Sequence, residues 1–373
     1  MKQSVTIVGG GIIGLSLAYE LLQRDWAVTV IDRDRLGRSA SWAGAGILLP
    51  ANRLTANHPI EHLSALSNTL NAQWSARLRE ETGIDNGFHR CGGLYVARSA
   101  GELASLSGLE YHLRDQKIEF EILNRQQIED LEFVQSYPDA LAGVQRALAL
   151  TNESQVCNPH HISALIAACK KRGATLVENS EVTAVEMDSE RNVLAISAAG
   201  ESFRSDQFVF TSGAWTEKVV GHEFKLPILP VRGQMVMFKL PKQIFKPIVY
   251  EGSHYLVPRR DGYVLAGATI EEVGFDMRNT ETAITMLQQF AERQFPQLNE
   301  STQVAQWAGL RPTTFDGFPY IGPLTDSKNG WVATGHFRLG IQLSTGTAVV
   351  LSDMLEGKAA RIELSPLSPQ RVF

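Results

Sequence analysis

The stretch WAGLRPTTFDGFPYIGP, Trp307 to Pro323, sets one cation, Arg311, among apolar residues and a proline. A guanidinium stays charged in such surroundings and presents paired donors that match a carboxylate. Two readings are open. Arg311 clamps the carboxylate of a ligand, or it closes a structural ion pair for which Asp316 is the nearby candidate. A second constellation opens the chain. Gly9, Gly11 and Gly14 stand in GxGxxG spacing, and Asp32 ends the next apolar run. In this spacing Gly9 permits a tight turn, Gly11 lets backbone approach a pyrophosphate, and Gly14 lets helix pack on strand. The helix N-terminus offers free N–H groups and partial positive charge to phosphates. Asp32 lies where an acid binds ribose hydroxyls and disfavours a 2′-phosphate, although Arg33 beside it is a cation. FAD and NAD share this fingerprint. The following GRSASWAGAGILLP, Gly37 to Pro50, is rich in small residues. Such residues let backbone lie flat against a large planar ligand, and they equally suit a flexible glycine loop.

The elements that must position these residues follow from hydrophobic period. Val5 to Val8 is a short apolar run that reads as a buried strand, Leu15, Ala18 and Leu22 recur at helical spacing, and AVTVID is a second strand. The chain therefore begins with a β-α-β unit. Residues 50–151 are mixed, with a helix around 65–81 and a strand at GGLYVA. Ile162, Leu165, Ile166 and Cys169 mark a helix that Gly173 ends. Strands are predicted at 175–178, 181–187 and 208–211, and several antiparallel strands over 231–268. A helix follows at 281–295, then a strand at 330–334, a glycine-bounded loop and a helix at 341–355. No contiguous βαβαβ domain completes itself after the first unit. The nucleotide-binding pieces are expected at 1–50, 151–220 and 306–373, with a substrate domain at 51–150 and 221–305. The fold class expected is mixed α/β and α+β: a Rossmann-like domain with an inserted domain built on an antiparallel sheet.

Composition sets limits. At 373 residues the chain exceeds the length at which one core stops growing. Hydrophobic content of 44% and charged content of 20% are those of a globular protein. A net charge of -5 leaves no basic footprint for nucleic acid. No apolar run reaches the roughly 18 residues of a membrane span. The basic-then-apolar start is short and broken by three glycines, so it does not read as a signal peptide. Cys91, Cys157 and Cys169 show no CxxC spacing, which fits a reducing, cytoplasmic compartment. CNPHH reads as a helix start at Asn158-Pro159, and no metal site is expected. GxSxG, HExxH and P-loop motifs are missing from the sequence, so hydrolase and kinase readings lack their parts.

VTIVGGGIIG, SWAGAGIL, LPVRGQM, HYLVP, WAGLRP, DGFPYIGP and GHFRLGI occur in this order. Together they resemble the FAD-dependent D-amino acid oxidase family, in its glycine-oxidising branch, over nearly the whole chain. The resemblance implies noncovalently bound FAD, with Gly9, Gly11 and Gly14 of the fingerprint counted among its cofactor-binding residues. It places Ile12, Ile13, Asp32, Arg33, Ser41, Ala45, Gly46 and Ile47 at FAD positions, and Val182 at a backbone contact to adenine. It places the loop His336, Phe337, Arg338, Leu339, Gly340, Ile341 and Gln342 beside the isoalloxazine. A loop feeding a helix N-terminus would favour the anionic reduced flavin at that edge. The resemblance also selects the clamp reading of Arg311 and gives two helpers: Tyr255, whose hydroxyl supports the carboxylate, and Arg338, a second substrate-side cation.

The activity implied is oxidative deamination of glycine, sarcosine or a small D-amino acid, by hydride transfer from substrate Cα to flavin N5. The products are an imino acid, then an oxo acid with ammonia or amine, and hydrogen peroxide. The partners are therefore a small amino acid and molecular oxygen, with a homo-oligomer left open. A role in thiamine biosynthesis is implied by the same resemblance. No protein base is required if the amine binds deprotonated; catalysis is then orientation and electrostatics. The chain departs from the branch at Ile47 and Ile270, where methionine is usual, at Leu339, where asparagine is frequent, and at Trp42, where a small polar residue is usual. These positions bear on the pocket wall and on which amine is preferred. His254 reads as packing. The competing readings are a D-amino acid or sarcosine dehydrogenase that passes electrons to a quinone or protein, a tRNA-modifying oxidase, and a flavoprotein that binds an amino acid without turnover. The charge balance argues against the tRNA reading, and the pairing of Arg311 with Tyr255 against the last.

Overall fold

The computed structural model describes residues 2–371. Among these residues the longer strands fall into two large sheets and one small antiparallel one. The first large sheet runs Tyr320–Pro323, Gly330–Thr334, Gln207–Phe210, Ser4–Val8, Ala27–Ile31, Thr175–Val177. Its pairings are parallel except for the edge strand Tyr320–Pro323. Three distant stretches of chain thus build one sheet. The predicted first unit is present as Ser4–Val8, helix Ile12–Gln23 and Ala27–Ile31.

One face of this sheet is covered by helices Ile12–Gln23, Pro59–Thr82, Asn158–Lys171 and Gly340–Leu355. Leu15, Leu17, Trp74, Leu165, Leu343 and Val350 share their core. Ile12–Gln23 and Gly340–Leu355 are buried nearly all round because they lie between the sheet and neighbouring helices, whereas Pro59–Thr82 and Asn158–Lys171 keep a polar face. The other face packs on the three strands Val182–Met187, Val193–Ala198 and Glu201–Phe203, through Ile196, Phe208 and Phe210. Arg24 ties the two ends of the chain together. Its guanidinium meets Glu20, and Asp353 and Glu356 each at 2.7 Å. Burial works against the charge on Asp353, yet hydrogen bonds from Arg361 and Arg24 hold its carboxyl below the usual range. That contribution is present above the ordinary carboxylate pKa and is lost as pH falls through the depressed one. Arg24→Ala should cost roughly 3 kcal/mol, since it takes a shared cation from three carboxylates, of which Asp353 keeps Arg361 and Glu356 keeps Lys358. Chemical denaturation at neutral pH measures this, and the wild-type advantage should shrink in acid.

The second large sheet runs Gln303–Thr313, Leu229–Lys239, Tyr263–Gly267, His254–Pro258, Ile248–Glu251, Gly93–Ala97, Arg146–Leu150, Glu121–Asn124. It is antiparallel as expected, with one departure: Ile248–Glu251 lies parallel to Gly93–Ala97. That joint is where the two inserted stretches of chain meet. One face is sealed by helix Glu281–Gln294 through Ile284, Leu287 and Phe290 against Val236, Phe238 and Ala266. Because side chains alternate along a strand, Gly233 and Met235 face the opposite way, toward the first sheet.

Two expected boundaries meet the elements differently. Residues 305 and 306 lie inside the strand Gln303–Thr313, which pairs along its length with Leu229–Lys239. Helix Pro59–Thr82, placed by sequence with the substrate part, packs on Gly340–Leu355 and shares the first sheet's core. The helix Ala100–Asp115 and the strand Arg146–Leu150 gave no clear period within the mixed 50–151 stretch.

Candidate functional site

A cavity lined by residues of both large sheets lies between them. One end is made by the glycine turn. Gly9 has φ +110°, and a Cβ there would sit 2.5 Å from the Thr211 carbonyl oxygen. The helix Ile12–Gln23 begins on this turn without a side-chain cap, and the Ile12 N–H donates to Ser41 Oγ at 2.8 Å. Gly11, Ile12 and Ile13 line the cavity. Gly14 does not; a Cβ on it would lie 2.0 Å from the Gly9 carbonyl oxygen, so its place is in the contact of helix with strand. Asp32 lines the cavity with its carboxylate already holding the turn: it accepts from Gly10 N at 2.6 Å and Asp34 N at 2.9 Å. Each oxygen keeps a lone pair for a hydroxyl. Burial pushes its pKa up, against those backbone bonds. Arg33 lies over the Trp215 ring at 3.7 Å, and Val182 completes this end.

The small-residue segment is held rather than flexible. Ala40–Ala43 is one helical turn, Asn158 Nδ2 donates to the Ser41 carbonyl at 2.8 Å, and Arg259 donates to the Ala45 carbonyl at 2.8 Å. Ser41, Ala45, Gly46 and Ile47 line the cavity. Trp42 does not; it turns against Trp307, ring centroids 5.3 Å apart.

The far end belongs to the second sheet. A straight cross-strand row is formed by Trp307, Met235, Gly267, Tyr255, Tyr250 and Tyr95. Gly267 leaves a gap in the middle of this row, and a Cβ there would strike Met235. Arg311 sits two rungs beyond Gly309 and folds back over Gly233, where a Cβ would lie 2.2 Å from its Nη2. Its Nη1 donates to the Thr269 carbonyl at 3.0 Å, and no described carboxylate pairs with it. Asp316, the structural partner considered from sequence, is engaged by Arg371 at 2.8 Å. Burial lowers the Arg311 pKa and raises that of Tyr255, each moderated by the other. Arg338 is exposed at the cavity edge and has no described polar partner.

The loop 336–342 closes the cavity floor, all seven residues lining it. His336 is fully inside, bonds Thr347 Oγ1 at 3.0 Å, and is pushed by burial down to about 3, so it is neutral. A bridge between Thr313 and His336 joins this loop to the Arg311 strand. The helix Gly340–Leu355 starts here with no side-chain cap and no acid in its first turn, leaving its positive end open. Gln342 uses its amide on Leu49 backbone at 3.1 and 3.2 Å. Ile47, Leu339 and Ile270 all line the cavity, Ile270 at its rim with 48% exposure. His254 packs on Phe290 at 5.3 Å, away from it.

Sequence reasoning missed Gly233, Gly267, Met235 and Tyr250. Their signal was the alternation of LPVRGQMVMFK and of the paired strands, which puts small residues opposite bulky ones on one face. Gly233→Ala should displace the Arg311 guanidinium and weaken carboxylate binding by about tenfold or more. FAD affinity should stay unchanged; titrations of cofactor and of acetate separate the two effects.

The residues present suit a dinucleotide with a planar head. Two uncapped helix N-termini face one cavity, Gly9 and Gly14 leave no space for a Cβ in the turn, and no cysteine is among the described lining residues. Residues 4–354 match the family described as FAD dependent oxidoreductase. The glycine oxidase of Pseudomonas aeruginosa is 33% identical over 371 residues, 99% of each chain. That of Geobacillus kaustophilus is 32% identical over 374 residues, 99% of this chain and 97% of its own. A crystal structure of glycine oxidase from Geobacillus kaustophilus superposes with a TM-score of 0.91 at 30% identity, covering 100% of both chains.

Proposed function

From the membership of this chain in the FAD-dependent oxidoreductase family described as DAO, we propose that it oxidises glycine or another small amino acid, using oxygen and water, to an oxo acid, ammonia and hydrogen peroxide. The observation that carries this reading is the unpaired guanidinium of Arg311, facing the same cavity as Tyr255 and the open helix end at Gly340.

FAD, when bound, supplies the two-electron acceptor. The chain supplies placement. Arg311 receives the substrate carboxylate through paired donors, and its partial desolvation strengthens that bond. Tyr255 sits against Arg311 and adds a hydroxyl. Arg338 lends a second positive charge from the edge. Met235, whose thioether fills the space that Gly267 leaves in the row, lines the cavity and gives that wall an apolar face. Orientation of this kind accounts for a large share of such a barrier, up to ~7–11 kcal/mol. The open end of the helix Gly340–Leu355 offers donors to negative charge that develops beside it. Noncovalent binding is supported because the wall has no cysteine and its histidine is bonded to Thr347. Among the described residues no helix is long and apolar enough to cross a membrane. The three cysteines are free, in keeping with the cytoplasmic setting that belongs to this reading.

The test is anaerobic. Glycine, sarcosine and a panel of D-amino acids are added separately to the yellow protein. Bleaching by one of them, reversed by air with peroxide release, is the expected result. Colour that none of them bleaches sinks the substrate class, and bleaching that air does not reverse sinks oxygen as acceptor.

A further inference from the structure

The proposed oxidation leaves one proton without a destination. A free amino acid arrives as an ammonium carboxylate, whereas hydride leaves Cα only when nitrogen carries a lone pair. The groups lining the substrate end do not accept a proton at neutral pH. Arg311 and Arg338 are cations, Tyr255 is raised by burial, and His336 is held near 3 and bonded to Thr347. Asp32 and Glu181 lie at the other end, beside Arg33 and Val182. Of the carboxylates behind the sheet row, Glu271 is held by Arg232 at 2.6 Å, and Glu251 by Arg98 and Arg293, each at 2.8 Å.

Glu153 differs. It has 0% exposure, and no described cation pairs with it. Its carboxylate accepts from Tyr95 Oη at 3.1 Å and from Tyr250 Oη. The two tyrosines stack, ring centroids 4.2 Å apart at 8°. Tyr250 lines the cavity and stands directly opposite Tyr255 in the strand register, rings 6.3 Å apart. The space for Glu153 is made by Gly93, where a Cβ would sit 2.2 Å from its Oε2. A carboxylate with two hydroxyl donors and no cation is thus built one side chain behind the cavity wall.

Resting on the amino acid oxidase reading, we propose that Glu153, acting through the Tyr250 hydroxyl, takes up the proton that the substrate ammonium sheds. The N–H bond breaks and its electron pair stays on nitrogen. The proton bonds to Tyr250 Oη as the tyrosine's own proton passes to Glu153 Oε1. Tyrosine is restored, Glu153 ends neutral, and no electron changes owner. The titratable groups facing Glu153 are Tyr95, Tyr250 and Cys91, whose Sγ lies 3.8 Å from the Glu153 carbonyl oxygen and whose thiol burial pushes up to about 11. Burial pushes Glu153 itself up to about 7, against the two tyrosine bonds, so an acceptor and its filled form are both within reach near neutrality.

The test is the pH profile of kcat/KM for the holoenzyme with its best amino acid, beside Glu153→Gln and Tyr250→Phe. Binding of acetate, which has no amine proton, is followed by the flavin spectrum. In the wild type kcat/KM should fall as pH drops through about 7. In both variants it should be down by roughly 10²-fold at pH 7 and climb about tenfold per pH unit as free amine becomes available. Acetate binding should be unchanged. A variant profile parallel to the wild type, or acetate binding lost together with turnover, overturns the role of Glu153. If Glu153→Gln does not fold, Tyr250→Phe, which keeps the buried carboxyl and the Tyr95 donor, decides by the same profile. Wild-type protein that no amino acid reduces overturns the oxidase reading itself.

Discussion

Arg311→Ala should raise the dissociation constant of the amino acid, and of acetate, by roughly 10²- to 10³-fold while FAD remains bound. Each hydrogen bond between a guanidinium and a carboxylate contributes about 1.5–3 kcal/mol, and a forked pair makes two. The structure separates this effect from cofactor binding. Arg311 makes its described hydrogen bond to the Thr269 carbonyl, not to the glycine turn or the loop 336–342. It also separates the effect from folding. Burial already disfavours the Arg311 charge and no described carboxylate depends on it, so its removal strands no ion. Arg311→Lys should recover only part of the affinity, because a point charge lacks the fork. Spectral titration of the flavin with acetate measures all three proteins. Loss of yellow colour, or a collapse in melting temperature, in the alanine variant would show Arg311 to be a structural residue instead.

Alanine at Gly11 and alanine at Gly14 should fail in opposite ways. A Cβ on Gly11, which sits in extended backbone, would meet only Ser41 Oγ at 3.2 Å. The apoprotein should therefore fold with nearly unchanged stability. The added methyl would stand on the cavity wall where the backbone must approach a pyrophosphate, and FAD affinity should drop by about 10²-fold or more. A Cβ on Gly14 would lie 2.0 Å from the Gly9 carbonyl and 2.6 Å from Thr211 Oγ1, so helix and strand must part. Overpacking of this kind costs about 1–3 kcal/mol, and more where the clash is with backbone. Apoprotein melting and FAD titration, run on both variants, distinguish the two. Equal FAD affinity in Gly11→Ala and wild type would contradict the cradle at this turn.

Much of this was legible in the chain because it rests on local rules. The β-α-β start follows from apolar period and the glycine spacing, and the three cavity-lining roles of Gly9, Gly11 and Asp32 need only residues within about 25 positions of one another. The loop 336–342 was visible as a strand, a glycine and a helix start. Less was legible between 50 and 151. There Ala100–Asp115 carries its few buried residues on one side of an otherwise polar helix, and short strands such as Glu121–Asn124 are too brief to show a period. The strand Gln303–Thr313 was not legible either, because whether an extended run joins one sheet or another depends on its partner and not on its own residues.

The sequence by itself determined the β-α-β start, the glycine turn with Asp32 at the end of the second strand, and which cation is the candidate clamp. Tertiary structure decided the rest. That Asp316 pairs with Arg371, and that the Arg311 guanidinium folds over Gly233, came from the structure alone. Tyr250 and Glu153, 97 positions apart, became one unit only when Gly93–Ala97 paired with Ile248–Glu251. The physical reason is common to both. Hydrophobic period and turn chemistry act over a few residues and are written in order along the chain. Charge pairing, close approach at a glycine and a shared proton act across a few ångströms of space, and sheet register alone fixes which residues meet there.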